Sequence, residues 1–304
     1  MNAPETVIGE DALVLPDHRD ATGENPIWDA EAATWWWIDI PKGAIHRLDP
    51  ATGTVRSVTL PMMIGALVLD RAGGAVAACV DGLYAVGGLD DPAGLTVRRL
   101  AAIAHPHDGM RFNDGRCDRQ GRFRVSTMVQ DIGLAVAAGR WYRFDGTGLA
   151  DLDDAGYVVP NGSAFSPDGR TVYASDTHPS RRALFAYDYD VTTGTTSARR
   201  PFAALPDGAG RPDGATVDAD GFYWICCLDA GRLLRYAPDG RLDHVYRLPM
   251  LKPTCCAFGG PDRRTLLVTS LSRGPADLET DPAGGRLLMF RPGPAGLPEP
   301  RFGG

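Results

Sequence analysis

An all-β chain folded as a six-bladed propeller is the architecture the sequence predicts, and three observations predict it. Glycine (37) and proline (24) are spread along all 304 residues, leaving few stretches long enough for a helix with 3.6-residue periodicity. Short apolar runs bounded by turn residues dominate instead. One such unit recurs six times at a spacing of roughly 40 to 50 residues, the size of a four-stranded blade.

The unit is plainest at Pro212-Asp213-Gly214, where an acidic residue at the mouth of an apolar strand leads through the turn Asp218-Ala219-Asp220-Gly221 into Tyr223-Trp224-Ile225. In order, the six copies run from 27–32 into 35–39, 66–73 into 75–77, 116–121 into 123–125, 164–169 into 172–174, 216–221 into 223–225 and 257–262 into 266–268. Third strands are expected at 44–49, 82–86, 140–144, 183–187, 232–236 and 286–290, and polar outer strands at 54–60, 95–101 and 242–248. Residues 131–140 read as a local helix or loop. The last blade has no outer strand of its own, because 293–304 is rich in proline and glycine. Residues 6–15 are expected to supply it, so that an N-terminal strand closes the ring and leaves no sheet edge open. The whole chain, 1–304, then reads as one propeller domain.

Composition narrows the function. A net charge of −7 and a pI near 5.4, with Lys and Arg scattered, lack the basic patch of a nucleic-acid binder. The first fifteen residues carry Glu5, Glu10 and Asp11 and no continuous apolar run, unlike a secretory leader or membrane anchor. No stretch approaches the roughly 20 apolar residues of a spanning helix. These features predict a soluble, cytoplasmic protein. The adjacent pairs Cys226-Cys227 and Cys255-Cys256 point to opposite faces of a strand, which suits buried apolar thiols in a reducing compartment better than a disulfide or metal clip.

Blade register carries the chemistry. Four residues before the aligned apolar positions Trp28, Leu67, Cys117, Phe165, Val217 and Phe258 stand Glu24, Met63, Asn113, Asn161, Asp213 and Thr254. Residues there crowd the mouth of a propeller's central channel. Two carboxylates and two amides converging on one axis make an oxygen-rich site suited to Ca²⁺, Mn²⁺ or Mg²⁺, or to Zn²⁺ or Fe²⁺ with water completing the shell. Any one Asn-Gly or Asp-Gly pair alone is turn chemistry; the shared register is what points to a site. Other patterns fall away. There is no G-x-S-x-G elbow. Asp218-Ala219-Asp220-Gly221 imitates an EF-hand, but with Gly221 at the sixth loop position Cys227 stands where a bidentate Glu is needed. His105 and His107 sit in a proline-containing loop and are expected at a pocket rim. Trp35, Trp36 and Trp37 are expected to pack between blades, alternate residues facing opposite sides.

Several stretches together resemble the SMP-30/gluconolactonase/regucalcin-like family of six-bladed propeller lactonases: Gly23-Glu24-Asn25-Pro26-Ile27-Trp28, Arg111-Phe112-Asn113-Asp114-Gly115, Asn161-Gly162 with Ser166-Pro167-Asp168-Gly169, Pro212-Asp213-Gly214, and Pro253-Thr254-Cys255-Cys256. The resemblance implies a metal-dependent aldonolactonase of carbohydrate catabolism, in which Glu24, Asn161 and Asp213 bind one divalent ion (Ca, Mn, Zn, Fe or Mg). It also implies that Arg111 and Asn113 contact a small sugar lactone, with Asp131 as a further contact on a variable loop. The family pattern has Gly where Ser126 stands before Thr127-Met128. The ion would polarise the ring carbonyl, and either Asp213 as general base or a metal-bound hydroxide would activate water. Two alternatives are an ester or organophosphate hydrolase on the same fold and a non-catalytic Ca²⁺-binding propeller. Loops 61–64, 105–110 and 177–182 are expected to select the substrate.

Overall fold

The computed structural model describes residues 3–303 and contains six sheets arranged as blades, each built on four antiparallel strands. Blade I comprises Gly23–Asp29, Thr34–Asp39, Ala44–Asp49 and Thr54–Thr59; blade II, Ile64–Leu69, Ala75–Cys79, Gly82–Gly87 and Thr96–Ala102. Blade III is Met110–Cys117, Phe123–Val129, Gly139–Phe144 and Leu149–Tyr157; blade IV, Pro160–Phe165, Thr171–Asp176, Ala183–Asp190 and Thr195–Pro201. Blade V runs Arg211–Val217, Tyr223–Leu228, Arg232–Tyr236 and Leu242–Arg247, and blade VI Pro253–Gly259, Thr265–Ser270 and Leu287–Phe290. The stretch expected to be helix or loop holds a 3-10 turn at Ile132–Leu134, and the one α-helix among the described residues is Pro275–Thr280.

The fourth strand of blade VI does come from the N-terminal segment, but more briefly than 6–15. Only Leu13–Val14 pairs with Leu287–Phe290. A 3-10 turn at Glu10–Ala12, following Gly9, interrupts the extended chain, and the preceding Glu5–Val7 adds instead as a parallel fifth strand beside Leu242–Arg247 of blade V. The N-terminal segment therefore spans the last two blades.

Six apolar layers lie between neighbouring blades. One joins Trp36, Ile38 and Ile45 of blade I to Leu67 and Ala77 of blade II. At the closing seam Trp28, Trp35 and Trp37 pack with Ala257, Leu267 and Leu287 of blade VI. The three consecutive tryptophans thus divide between the two sides of their sheet, as strand alternation requires. All six cysteines are buried and unbridged.

The D-x-D-G turns are structural. Asp218 Oδ1 accepts from the backbone N–H of Asp220 at 3.0 Å and of Phe222 at 2.9 Å, while Oδ2 accepts from Trp224 Nε1 at 2.9 Å and from Arg235. Asp118 repeats the pattern with Gln120 and Arg122. Every oxygen of these carboxylates is committed, Oδ1 to its own turn and Oδ2 to side chains of neighbouring strands, and they lie at the opposite end of the blade from the residues that precede each inner strand.

Candidate active site at the channel mouth

Each inner strand carries a β-bulge at or next to the position aligned in the sequence. In blade I, Glu24 opposes Ile38 and the next regular pair is Ile27 with Trp36; in blade IV, Asn161 opposes Ser175 and then Ala164 opposes Tyr173. The same one-residue excess falls between Phe112 and Gly115, Pro212 and Ala215, Pro253 and Cys256, and Ile64 and Ala66. A bulge bends its strand and re-aims the local side chains. Six bulges at one level turn Glu24, Asn113, Asn161 and Asp213 inward, where all four are buried.

Bulge residues also tie blade to blade. Asn25, in the left-handed region at φ 53°, accepts the Leu67 N–H of blade II with its side-chain oxygen. Asp114 Oδ2 accepts the Ser163 N–H of blade IV at 2.7 Å, and Tyr223 donates from blade V to the Gly162 carbonyl at 2.8 Å. Gly162 has φ 65°, and a Cβ there would lie 2.6 Å from the Tyr223 hydroxyl. These cross-links fix the spacing of the inward residues from several sides.

Within the channel, the Asn161 amide nitrogen contacts Asp213 Oδ1 and also donates to Thr177 Oγ1 at 3.2 Å. Asn113 donates to the Pro160 carbonyl at 3.0 Å and accepts from Arg111 at 2.8 Å. Arg111 is further held by the Phe112 carbonyl at 2.8 Å. Glu24 accepts its neighbour Asn25 N–H at 2.8 Å.

The electrostatics are those of a site with too much negative charge for its surroundings. Burial, and then the charge of Asp114, push the Glu24 carboxyl up to about 8. Burial, and then Glu24, push Asp213 well above the usual carboxylate range. Asp114 is also raised by burial, although its Ser163 hydrogen bond and the nearby Arg116 and Arg124 oppose the shift. Burial lowers Arg111 to about 10 against the pull of Glu24 and Asp213, so it stays protonated near neutrality. One arginine faces two buried carboxyls, Glu24 and Asp213.

Arg111 also lines a cavity of about 500 Å³, together with Thr22, Met63, Met128, Asp131 and Arg273, among others. Asp131 is exposed there and spends one oxygen on the Gly133 N–H at 3.0 Å, so it is a rim residue separated from the buried cluster. Met63 is the expected contribution of loop 61–64. His105 and His107 stay apart from the cavity and bond the Val80 and Asp108 carbonyls. Thr254 is buried, and its hydroxyl is bonded to the Gly23 carbonyl and to Thr269, so that position closes blade VI onto blade I.

Arg273 and Cys255 are the neighbours sequence reasoning missed. Arg273 arrives on the segment before the Pro275–Thr280 helix, outside the repeating unit, and its charge is felt by Arg111. Cys255 lies near enough to Glu24 to oppose the rise of its carboxyl, and its thiol sits 2.5 Å from where a Cβ on Gly214 would be. Only the absence of a side chain at Gly214 lets blades V and VI approach so closely.

Known proteins bear on this arrangement. A family model described as SMP-30/Gluconolactonase/LRE-like region matches residues 22–272. The chain is 38% identical over 284 residues to 6-deoxy-6-sulfogluconolactonase of Pseudomonas putida, a match that covers 93% of this chain and 95% of that protein. It is 33% identical over 283 residues to a pentonolactonase of Haloferax volcanii, covering 91% and 93%. Among solved structures, a calcium-binding protein, regucalcin, from Agrobacterium tumefaciens has a TM-score of 0.88 at 29% identity and 99% coverage of both chains. No helix among the described residues is long and apolar enough to cross a membrane.

Proposed function

The chain belongs to the SMP-30/gluconolactonase/LRE-like family, and on that premise we propose that it is a one-domain, metal-dependent hydrolase that opens the lactone of a sugar acid. The observation that carries the reading is the buried oxygen cluster of Glu24, Asn161 and Asp213 beside Arg111, which itself lines an open cavity. Two relatives that match over most of their length carry lactonase names.

The donor set fits a divalent ion held by Glu24, Asn161 and Asp213. Glu24 and Asp213 are both raised by burial, the condition that a neighbouring dication relieves. The Asn161 amide nitrogen now donates to Asp213; half a turn of that amide would bring its oxygen there instead, an arrangement that a cation between the two oxygens would stabilise. When bound, such an ion supplies Lewis-acid polarisation of the lactone carbonyl.

The side chains do the rest. Arg111, locked by Asn113 and the Phe112 carbonyl, has N–H groups left to grip a sugar hydroxyl or the carboxylate as it forms. Asp213 accepts a proton from the attacking water while the water oxygen bonds to the carbonyl carbon. The ring C–O bond then breaks, and that proton passes to the departing ring oxygen. The product is an open hydroxy acid that releases a proton to solvent. The rim groups Asp131 and Arg273 meet the substrate's far end, so they act on selection rather than bond breaking.

Acid release from a panel of pentono- and hexonolactones, with and without EDTA, tests the proposal. Chelator-sensitive turnover of at least one lactone is expected. Metal binding with no turnover of any lactone would favour a binding propeller instead, a reading supported by the likeness to the calcium-binding protein regucalcin of Agrobacterium tumefaciens.

A further inference from the structure

A second group of ligating side chains lies away from the channel, at the seam where the ring closes. His18 and Asp20 belong to the segment between Leu13–Val14 and blade I, and His46 is on the third strand of blade I. Asp20 Oδ1 is 2.8 Å from His18 Nε2 and 3.4 Å from His46 Nε2. All three candidate ligand atoms lie within 4.8 Å of one another. Around a tetrahedral zinc-type ion with bonds of about 2.0–2.1 Å, neighbouring donors stand about 3.4 Å apart. The Asp20–His46 pair already has that separation, and His18 needs to retreat by only about half an ångström to reach it.

The surrounding contacts are those that orient metal ligands. Trp37 Nε1 donates to the other Asp20 oxygen at 2.9 Å, which leaves Oδ1 for the imidazoles. His46 Nδ1 is 2.7 Å from Ser57 Oγ, and the Trp37 ring stacks on His46 at 5.0 Å. Hydrogen bonds to a carboxylate and to the far nitrogen of an imidazole fix ligand orientation and tautomer.

One atom is left over. His46 is 7 % exposed, Asp20 is 2 % exposed, and His46 Nε2 is buried with no hydrogen-bond partner. In the tautomer whose Nδ1–H donates to Ser57, the Nε2 lone pair faces a carboxylate oxygen 3.4 Å away. That repulsion becomes attraction when a cation lies between them.

We propose that His18, Asp20 and His46 form a second metal site, for a borderline dication of the zinc type, that staples the N-terminal segment to blade I. Two imidazoles and one carboxylate suit such an ion better than Ca²⁺ or Mg²⁺, which take oxygen ligands. The site's position gives it a role. Arg19 bonds the Gly284 and Pro282 carbonyls of blade VI at 2.7 and 2.9 Å, and the Asp20 N–H bonds Gly285. An ion joining this segment to His46 couples the last blade to the first, and metal affinity becomes folding stability.

The test is independent of catalysis. Chelator-stripped Asp213→Ala protein, its channel site disabled, is titrated with zinc chloride by calorimetry and melted with and without zinc. One zinc per chain and a melting temperature raised by several degrees are expected. Adding His18→Ala, a change at a partly exposed loop residue, is expected to weaken that binding at least tenfold and abolish the rise. If Asp213→Ala fails to fold, the same comparison is made between the full-length native sequence and His18→Ala, where the zinc count is expected to fall by one. Zinc uptake unaltered by His18→Ala, or no uptake in the Asp213→Ala protein, would overturn the proposal.

Discussion

Replacing Glu24 by glutamine is expected to make the metal-free protein more stable and the metal-loaded protein less so. The Glu24 carboxyl is raised from 4.5 to about 8, burial being the largest cause and the Asp114 charge the next. Between those values the folded protein holds a proton that the unfolded chain has released. Its contribution to stability is therefore fully present below pH 4.5 and is lost as the pH rises to about 8. The whole shift from 4.5 to about 8 corresponds to roughly 5 kcal/mol, of which roughly 3 kcal/mol has been lost at pH 7. Glutamine has nearly the same shape and no charge at any pH. In EDTA, Glu24→Gln and the native sequence should melt together near pH 4.5 and diverge as pH rises. At about 2 °C per kcal/mol for a chain of this size, the variant should melt roughly 10 °C higher above pH 8. Adding saturating Mn²⁺ or Ca²⁺ should reverse the order, because the native sequence gains binding free energy that the variant lacks. Scanning calorimetry at several pH values, with and without EDTA, provides the measurement. A stability difference in EDTA that stays constant from pH 5 to pH 8 would refute the reasoning, since it would mean that Glu24 is not held protonated in the empty channel.

Further outcomes are expected elsewhere. Asp213→Asn should lower kcat by about 10² to 10⁴-fold if it takes the water proton, measured by acid release at saturating lactone. Arg111→Met should raise KM by roughly 10 to 100-fold, the worth of one or two charge-assisted hydrogen bonds. Arg273→Ala should raise KM severalfold at low salt with kcat kept, and the difference should shrink as salt is added. Gly162→Ala forces a Cβ into the left-handed region and to 2.6 Å from the Tyr223 hydroxyl, so it should cost about 1 to 3 kcal/mol by denaturant titration. Deleting residues 1–15 strips the partly buried Leu13, Val14 and Leu15 from the closing seam and should cost about 3 kcal/mol. It also exposes the edge of Leu287–Phe290, so light scattering should show aggregation.

The blades and the inward residues were legible in the sequence for the same reason. Turn dipeptides and apolar runs are local signals, and six copies in one register let weak signals reinforce each other. Glu24, Asn113, Asn161 and Asp213 lie where the alignment of copies puts them, and the Trp35-Trp36-Trp37 run divides between two blade interfaces because strand alternation is local geometry. The expected closing strand was legible in kind and not in extent, since the turn at Glu10–Ala12 carries no strong breaker apart from Gly9. Asp131 was placed on its loop correctly, yet its distance from the buried cluster depends on how the loop after blade III folds back.

What the amino-acid order determined on its own was periodic: six blades, the level of the channel mouth, and four oxygen-bearing side chains at that level. What the tertiary structure alone decided was everything joining residues distant along the chain. The Asp114 charge raises the Glu24 carboxyl across blades, Arg273 reaches the cavity from the last blade, and Cys255 packs into the gap at Gly214. His18, Asp20 and His46 meet only because the N-terminal segment crosses the seam of a closed ring. Burial raises the Glu24 and Asp213 carboxyls, and burial is a property of the assembled ring, because it takes all six inner strands to remove water from one axis.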